Sequence, residues 1–537
     1  MTVTIFRGWV FACIAMIAAL VVSLPGAVSA QAQVTAFKQA VAEAAARDVD
    51  IAAFYQATGY DSLWTGKSGK ERQRRVALFR ALEQSGNHGL PTARYDAEGL
   101  MAKMKAAKTP RDRGQVEVEI SRTFLQYARD LQTGVVVPSR VDRAIARQVP
   151  YRDRTSYLVN FSQSSPSGFF KALAPKTTEY NALMKEKLRM ERLLAKGGWG
   201  QTVPAKSLEP GQSGEAVAIL RNRLIAMGFL RRTNTQTYDA PIQAAVQQFQ
   251  LAHGLTADGV AGSATMAEIN RGVPYRLQSI IVAMERERWI NQERGKRHVL
   301  VNLPDFTTKV IDDGKVTFTT RSVIGANKDD RATPEFSDVM EHMVINPSWY
   351  VPRSIVTKEY LPALKRNRNA VSDILITDNR GRTVSRNSVD FAKYTARTFP
   401  FSMRQPPSKR NALGLVKFMF PNVHNIYLHD TPAKNLFGTE VRAYSHGCVR
   451  LAEPFDFAYT LLARQEANPE KYFQSILATG KERRVDLEAP VPVHIIYRTA
   501  FTTPKGHTQY RRDIYGRDAK VWRALSNAGV ALQAVQG

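Results

Sequence analysis

Two cysteines occur in 537 residues, and the first, Cys13, lies in an N-terminal segment with the marks of a removable leader. Arg7 closes a short cationic stretch, Trp9 to Val22 is unbroken apolar sequence, and Val28-Ser29-Ala30 offers small residues for cleavage. Residues 1–30 therefore read as a secretory signal peptide. The run falls short of the ~20 residues that a spanning helix needs, and Pro25-Gly26 follows where such a helix would have to continue. An uncleaved membrane anchor is the alternative. The mature chain is left with one cysteine, Cys448, which in an oxidising compartment has no internal disulfide partner. Every domain must then be held by its own hydrophobic core.

The 44% hydrophobic content is enough for several such cores, and the length suits roughly three or four domains. Lysine and arginine number 75 against 48 acidic residues, a net charge of +27. Inside a cell such a cation would suggest nucleic acid, a partner that export argues against. An exported cation meets anionic envelope surfaces, such as lipid head groups and carboxylate-bearing wall, or carries a solvated basic face with no specific partner.

Residues 31–200 are rich in Ala, Arg, Glu and Leu at helical spacing and read as a helical N-terminal scaffold domain. Val116, Ile120, Phe124, Tyr127 and Leu131 fall on one face of a helix that Gly134 and Pro138 stop. Phe54, Tyr55, Tyr60 and Trp64 read as packing between short helices. Residues 207–271 read as a compact three-helix unit: a stripe of Val217, Leu220, Leu224 and Met227 ended by Gly228, a second of Ile242, Val246 and Phe249 entered at Pro241, and a short third helix with Ser263 as N-cap candidate. The unit resembles the peptidoglycan-binding type 1 domain in Leu208-Glu209-Pro210-Gly211, in Ala245-Val246-Gln247-Gln248-Phe249-Gln250 and in the Asp258-Gly259-Val260-Ala261-Gly262 turn.

Residues 297–500 turn to β texture, with Val299–Leu303, Lys309–Ile311 and Val316–Phe318 as early strands and Asp312-Asp313-Gly314 as a hairpin turn. Further strands fit Met343–Ile345, Ile426–His429 and Val493–Tyr497. A polar, Arg- and Ser-rich insertion at about 353–411 is too long for an ordinary connection and reads as a lid or a variable surface excursion. Residues 501–537 read as a C-terminal extension packing on this domain. The fold class is multidomain α+β.

The chemistry gathers at Tyr444-Ser445-His446-Gly447-Cys448-Val449-Arg450. A thiol attacks as thiolate, so it needs an imidazole to take its proton and amide N–H groups to hold an oxyanion. His429 and His446 compete for the base: His446 is two residues from Cys448, a spacing that shares a face on an extended strand, while His429 sits in a separate β-leaning run and can meet the sulfur from a neighbouring strand. Gly447 allows close approach of a substrate carbonyl, with the Gly447 and Cys448 amides as oxyanion donors. Ser445 could orient an imidazole or contact substrate. One cysteine and two histidines fall short of a usual zinc set, so neither metal nor cofactor is expected.

The run His429-Asp430-Thr431-Pro432 followed by Ser445-His446-Gly447-Cys448-Val449-Arg450 resembles the signature of L,D-transpeptidases of the YkuD fold. Val323-Ile324-Gly325 with Thr333-Pro334, Ile345-Asn346-Pro347-Ser348-Trp349-Tyr350-Val351-Pro352, and Asn411-Ala412-Leu413-Gly414 with Lys417-Phe418 extend the likeness to the large periplasmic YcbB-like subgroup. Pro406-Pro407-Ser408 departs from the Pro-Gly turn expected there. The resemblance implies an acyltransferase that forms 3→3 cross-links in peptidoglycan, with Cys448 as nucleophile, His429 as proton shuttle, and Ser445, His446, Tyr427, Trp349, Asn346 and Arg450 shaping the substrate pocket. It implies a periplasmic location, wall stem peptides and glycan as partners, and cell-wall synthases as further partners. L,D-carboxypeptidase or cysteine peptidase action on wall peptides, and non-catalytic wall binding, remain as alternatives.

Overall fold

The computed structural model describes residues 35–328, 330–504 and 506–533; the leader expected at residues 1–30 lies outside them. No helix among the described residues is long and apolar enough to cross a membrane.

The N-terminal region packs short helices around the long helix Pro110–Thr133, which starts with a reciprocal capping box between Thr109 and Asp112 and Pro110 in its first turn. Gly134 ends it with φ of 95°. Its stripe meets Phe54, Tyr55 and Trp64 in one apolar cluster. Burying Glu117 at mid-helix is tolerated because its carboxylate accepts the Leu63, Trp64 and Thr65 amides and the Tyr55 hydroxyl, which pins the loop at 62–65.

The three-helix unit comprises Glu215–Met227, Ala240–Ala252 and Ser263–Ile269 around Leu220, Leu224, Val246 and Phe249. Ser263 is already inside its helix; Gly262 takes the cap position, so no side chain caps that terminus. The segment after this unit, unassigned by sequence pattern, folds into helix Val273–Trp289. Its consecutive Glu285, Arg286, Glu287 and Arg288 are all buried, each with partners from elsewhere in the chain. Glu285 accepts the Val135 and Val136 amides at 2.7 and 3.0 Å. Arg286 pairs with Glu335 at 2.5 Å and Asp518 at 2.8 Å, and Glu287 pairs with Arg294 and Arg498. Arg288 donates to the His88 carbonyl at 2.9 Å. One helix end thus ties the scaffold, the catalytic region and the C-terminal helix Arg517–Asn527 together.

The β region holds β1 (Arg297–Asn302), β2 (Thr307–Asp312), β3 (Lys315–Gly325), β4 (Phe336–Ile345), β5 (Trp349–Tyr350), β6 (Leu375–Thr377), β7 (Ser402–Gln405), β8 (Val416–Met419), β9 (Leu428–His429), β10 (Ala443–Ser445), β11 (Val449–Leu451) and β12 (Arg483–Ile496). Nine strands form one sheet in the order β10-β3-β11-β9-β8-β4-β12-β1-β2, and an additional β2–β3 pairing closes it on itself. The β2–β3 hairpin turns at Asp313 and Gly314, both at positive φ, the twist a two-residue hairpin favours. β12 outruns the expected Val493–Tyr497 because its register shifts between Asp486 and Val491, a bulge that accommodates Pro490.

The insertion is a small folded body. β5, β7 and β6 pair in that order, and Leu361, Ile376, Phe391, Phe399 and Met403 form its own apolar core. Its exposed Arg and Ser residues mask that core in composition.

Candidate active site

Alternation along β9 and β11 decides which side chains meet. Leu428, Val449 and Leu451 are fully buried in the barrel core, so Tyr427, His429, Cys448 and Arg450 stand on the opposite face. β9 and β11 are parallel neighbours, with Leu428 opposite Val449 and His429 opposite Arg450. The Val449 amide donates to the Tyr427 carbonyl at 3.1 Å, which sets Cys448 beside Tyr427. On the other side of β9, antiparallel β8 places Lys417 opposite His429. One row across three strands therefore reads Arg450, His429, Lys417.

His429 is buried, and its Nδ1 lies 2.5 Å from the Asp430 carbonyl. A carbonyl oxygen only accepts, so Nδ1 carries a proton in this bond, and the Leu413 carbonyl is a second backbone acceptor at the ring. Burial, with Arg450 and Lys417 on its flanks, pushes the imidazole down to about 3. Asp430 is itself braced: its carboxylate accepts the Leu415 amide at 2.9 Å and pairs with Lys434 at 2.6 Å. Gly414, at φ +63°, is required there, because a Cβ would stand 2.2 Å from Asp430 Oδ2.

Cys448 is half-buried. Loss of hydration pushes the thiol up to about 11, against the pull of the Tyr427 amide and hydroxyl and of the Arg450 and Lys417 charges. The thiol donates weakly to the Asn425 carbonyl at 3.6 Å. The Tyr427 hydroxyl lies between the sulfur and the Trp349 indole.

The motif around the sulfur is a tight reversal laid on β3. Ser445 pairs with Gly325 in parallel fashion and Arg450 with Val323 in antiparallel fashion, so the chain turns back within 446–448. Gly447 makes that reversal at φ of 119°. Ser445 staples it, donating to the Cys448 carbonyl at 2.5 Å and accepting the Gly447 amide at 3.1 Å. Thr333 anchors it from outside, donating to the Gly447 carbonyl at 2.7 Å and accepting the Gly325 amide at 2.9 Å.

Several expectations change here. The shared-face argument for His446 needs an extended run, and Gly447 breaks it; His446 instead donates Nε2–H to Glu359 of the insertion at 2.7 Å, a carboxylate that also pairs with Arg331. Ser445 serves the loop and makes no bond to an imidazole. The Gly447 amide, expected as an oxyanion donor, is already bonded to Ser445. Asn346 is structural: it holds φ of 51° and its amide nitrogen reaches the Ile476, Leu477 and Lys481 carbonyls. Trp349 belongs to the insertion core and edges onto Tyr360.

Residues 296–493, which enclose the whole constellation, match the family described as L,D-transpeptidase catalytic domain. The chain carries an L,D-transpeptidase catalytic domain. Residues 213–269 match a family described as "Putative peptidoglycan binding domain", and residues 49–186 one described as Scaffold domain. A relative from Haemophilus influenzae named "Putative L,D-transpeptidase" is 32% identical over 225 residues, 42% of this chain and 45% of that protein, so the match spans under half of the relative's length. Among solved structures, the chain is similar to an L,D-transpeptidase from Xylanimonas cellulosilytica at 14% identity, over 54% of this chain and 98% of that one, with a TM-score of 0.16. It is also similar to one from Stackebrandtia nassauensis at 16% identity, over 55% and 96%, with a TM-score of 0.22.

Among the described residues of this L,D-transpeptidase domain, no cluster of His, Cys, Asp and Glu could hold a metal ion. Sequence reading missed the parts played by Thr333, Glu359 and Lys417. Lys417 had a signal: it is a lone cation between Val416 and Phe418, both fully buried.

Proposed function

We propose that this L,D-transpeptidase domain forms 3→3 cross-links by acyl transfer through Cys448. The observation that carries this reading is the register of β9 and β11, which sets Cys448, the residue before β11, on the same face as His429. Burial holds both partners neutral at rest, since the thiol is raised and the imidazole lowered. Proton transfer from sulfur to Nε2 then accompanies attack, as general-base catalysis worth about 10²- to 10⁴-fold.

The sulfur adds to the carbonyl of the third stem residue, a diaminopimelate, and the oxyanion meets the Cys448 amide. The C–N bond to the fourth residue breaks, Nε2 returns its proton to the departing amine, and D-alanine leaves. A second stem's diaminopimelate amine attacks the thioester, loses its proton through His429, and frees the thiol with a new amide bond. The Tyr427 amide and hydroxyl stabilise sulfur while it carries charge. Arg450 would hold a substrate carboxylate by a bidentate pair. The peptidoglycan-binding unit keeps this site at high effective concentration over its polymer.

Incubation of the mature protein with disaccharide-tetrapeptide tests the reading. Dimers joined through two third-position residues, absent with Cys448→Ala, support it. Tripeptide as sole product makes water the acceptor and the enzyme an L,D-carboxypeptidase.

A further inference from the structure

Lys417 has no part in the chemistry described so far, yet it is placed in the middle of it. It stands on β8 directly opposite His429, one strand further from Cys448. Most of the side chain is withdrawn from water, and among the described residues it makes no hydrogen bond or ion pair. The Glu482 carboxylate, whose charge acts on Lys417, accepts the Ser348 amide at 2.6 Å. Burial lowers the affinity of Lys417 for its proton, while the charges of Glu482 and of a Cys448 thiolate raise it. A largely desolvated cation without a bonded counter-charge is costly, and on a substrate-facing surface it is a receptor for an anion.

The order across the sheet says which anion. The nucleophile immediately precedes β11, β9 carries the proton donor and β8 the cation, with neighbouring strands about 4.8 Å apart. The amine that takes the proton from Nε2 belongs to the departing residue, and two short bonds separate that nitrogen from the carboxylate carbon, about 2.5 Å in all. With the retained acyl group on Cys448, the departing residue extends over His429 toward β8. A donor stem offers two carboxylates near the reacting carbonyl, that of the diaminopimelate side chain and that of the terminal residue. The terminal one travels with the protonated amine, whereas Arg450, on the strand that the nucleophile precedes, lies on the acyl side.

We propose that Lys417 binds the terminal carboxylate of the departing residue and thereby restricts donors to stems that end one residue beyond the scissile carbonyl. The inference rests on the transpeptidase reading above. Lys417 is a specificity residue, and it transfers no proton in the reaction.

The test compares the full mature protein with Lys417→Met and Lys417→Arg on three donors: disaccharide-tetrapeptide, the same stem with its terminal carboxylate amidated, and the same stem with the diaminopimelyl carboxylate amidated. Release of the fourth residue gives kcat/KM for each, and comparing donors across variants cancels their intrinsic reactivities. The unmodified protein is expected to prefer the free terminal acid over its amide by about 10- to 100-fold, the range for a hydrogen bond to a charged group. Lys417→Met should reduce that preference to about 3-fold or less, because the free acid loses more rate than its amide, and Lys417→Arg should restore most of it. An undiminished preference in Lys417→Met overturns the proposal, as does a loss of discrimination confined to the diaminopimelyl amide. Failure of the unmodified protein to release the fourth residue from any donor overturns the underlying reading as well.

Discussion

The Asp430 carbonyl accepts the Nδ1–H of His429, its own chain neighbour, at 2.5 Å. That bond holds a proton on Nδ1. Asp430 keeps the carbonyl in place because its carboxylate is anchored on the Leu415 amide and Lys434.

Holding this imidazole neutral has a thermodynamic consequence. His429 sits near 3 in the folded protein, below its ordinary value of 6.5, so between those pH values the unfolded chain binds the extra proton. Stability from this group is fully present above about pH 6.5 and is lost as pH falls toward 3, by up to about 1.4 kcal/mol per unit. Denaturant titrations between pH 7 and 4 should show a shallower acid slope in His429→Gln; identical slopes would contradict the buried, neutral ring.

The thiol moves the other way. Alkylation of Cys448 by uncharged iodoacetamide is expected to keep rising with pH beyond 9 and to level off near 11. Arg450→Leu removes one of the charges that favour the thiolate and should shift the profile further upward. A plateau already below pH 7 would mean a preformed thiolate–imidazolium pair.

Gly447 has both the backbone and the space argument against substitution. Its φ is 119°, and a Cβ would meet Ile426 Cδ1 at 3.1 Å. Gly447→Ala should cost about 1–3 kcal/mol in strain and, by displacing the sulfur, lower kcat/KM by about 100-fold or more. Melting curves and donor kinetics check the two effects separately.

The charged end of helix Val273–Trp289 predicts a large stability effect far from the chemistry. Arg286→Leu leaves Glu335 and Asp518 without their shared guanidinium, and breaking a buried pair costs about 3–5 kcal/mol. Urea unfolding should show the loss, whereas exposed Arg382→Leu, which breaks a pair with Asp378 on the insertion surface, should change stability by under about 1 kcal/mol.

How much was legible in the sequence follows from where the information lies. Local pattern sufficed for the stripe and C-terminal stop of helix Pro110–Thr133, whose apolar spacing and terminal glycine agree, and for the Asp313-Gly314 hairpin. It also marked Cys448 and His429, since few residue types carry that chemistry. Pairing between distant strands was not legible. The register that sets Arg450 and Lys417 beside His429 joins segments 33 residues apart, from 417 to 450. Asn346 looked like a pocket residue because its role depends on three carbonyls at 476–481. The partners of Glu285 to Arg288, among them His88, Val135, Glu335, Arg498 and Asp518, are distant in the chain, so nothing local announced their burial. The core of the insertion was diluted by the Arg and Ser residues that cover it.

The most direct test is intact-protein mass spectrometry of the mature enzyme quenched during turnover of disaccharide-tetrapeptide. A disaccharide-tripeptide adduct mapped to Cys448, absent from Cys448→Ala and slow to form in His429→Gln, is the predicted result. An adduct on another residue, or turnover undiminished in Cys448→Ala, would contradict the account.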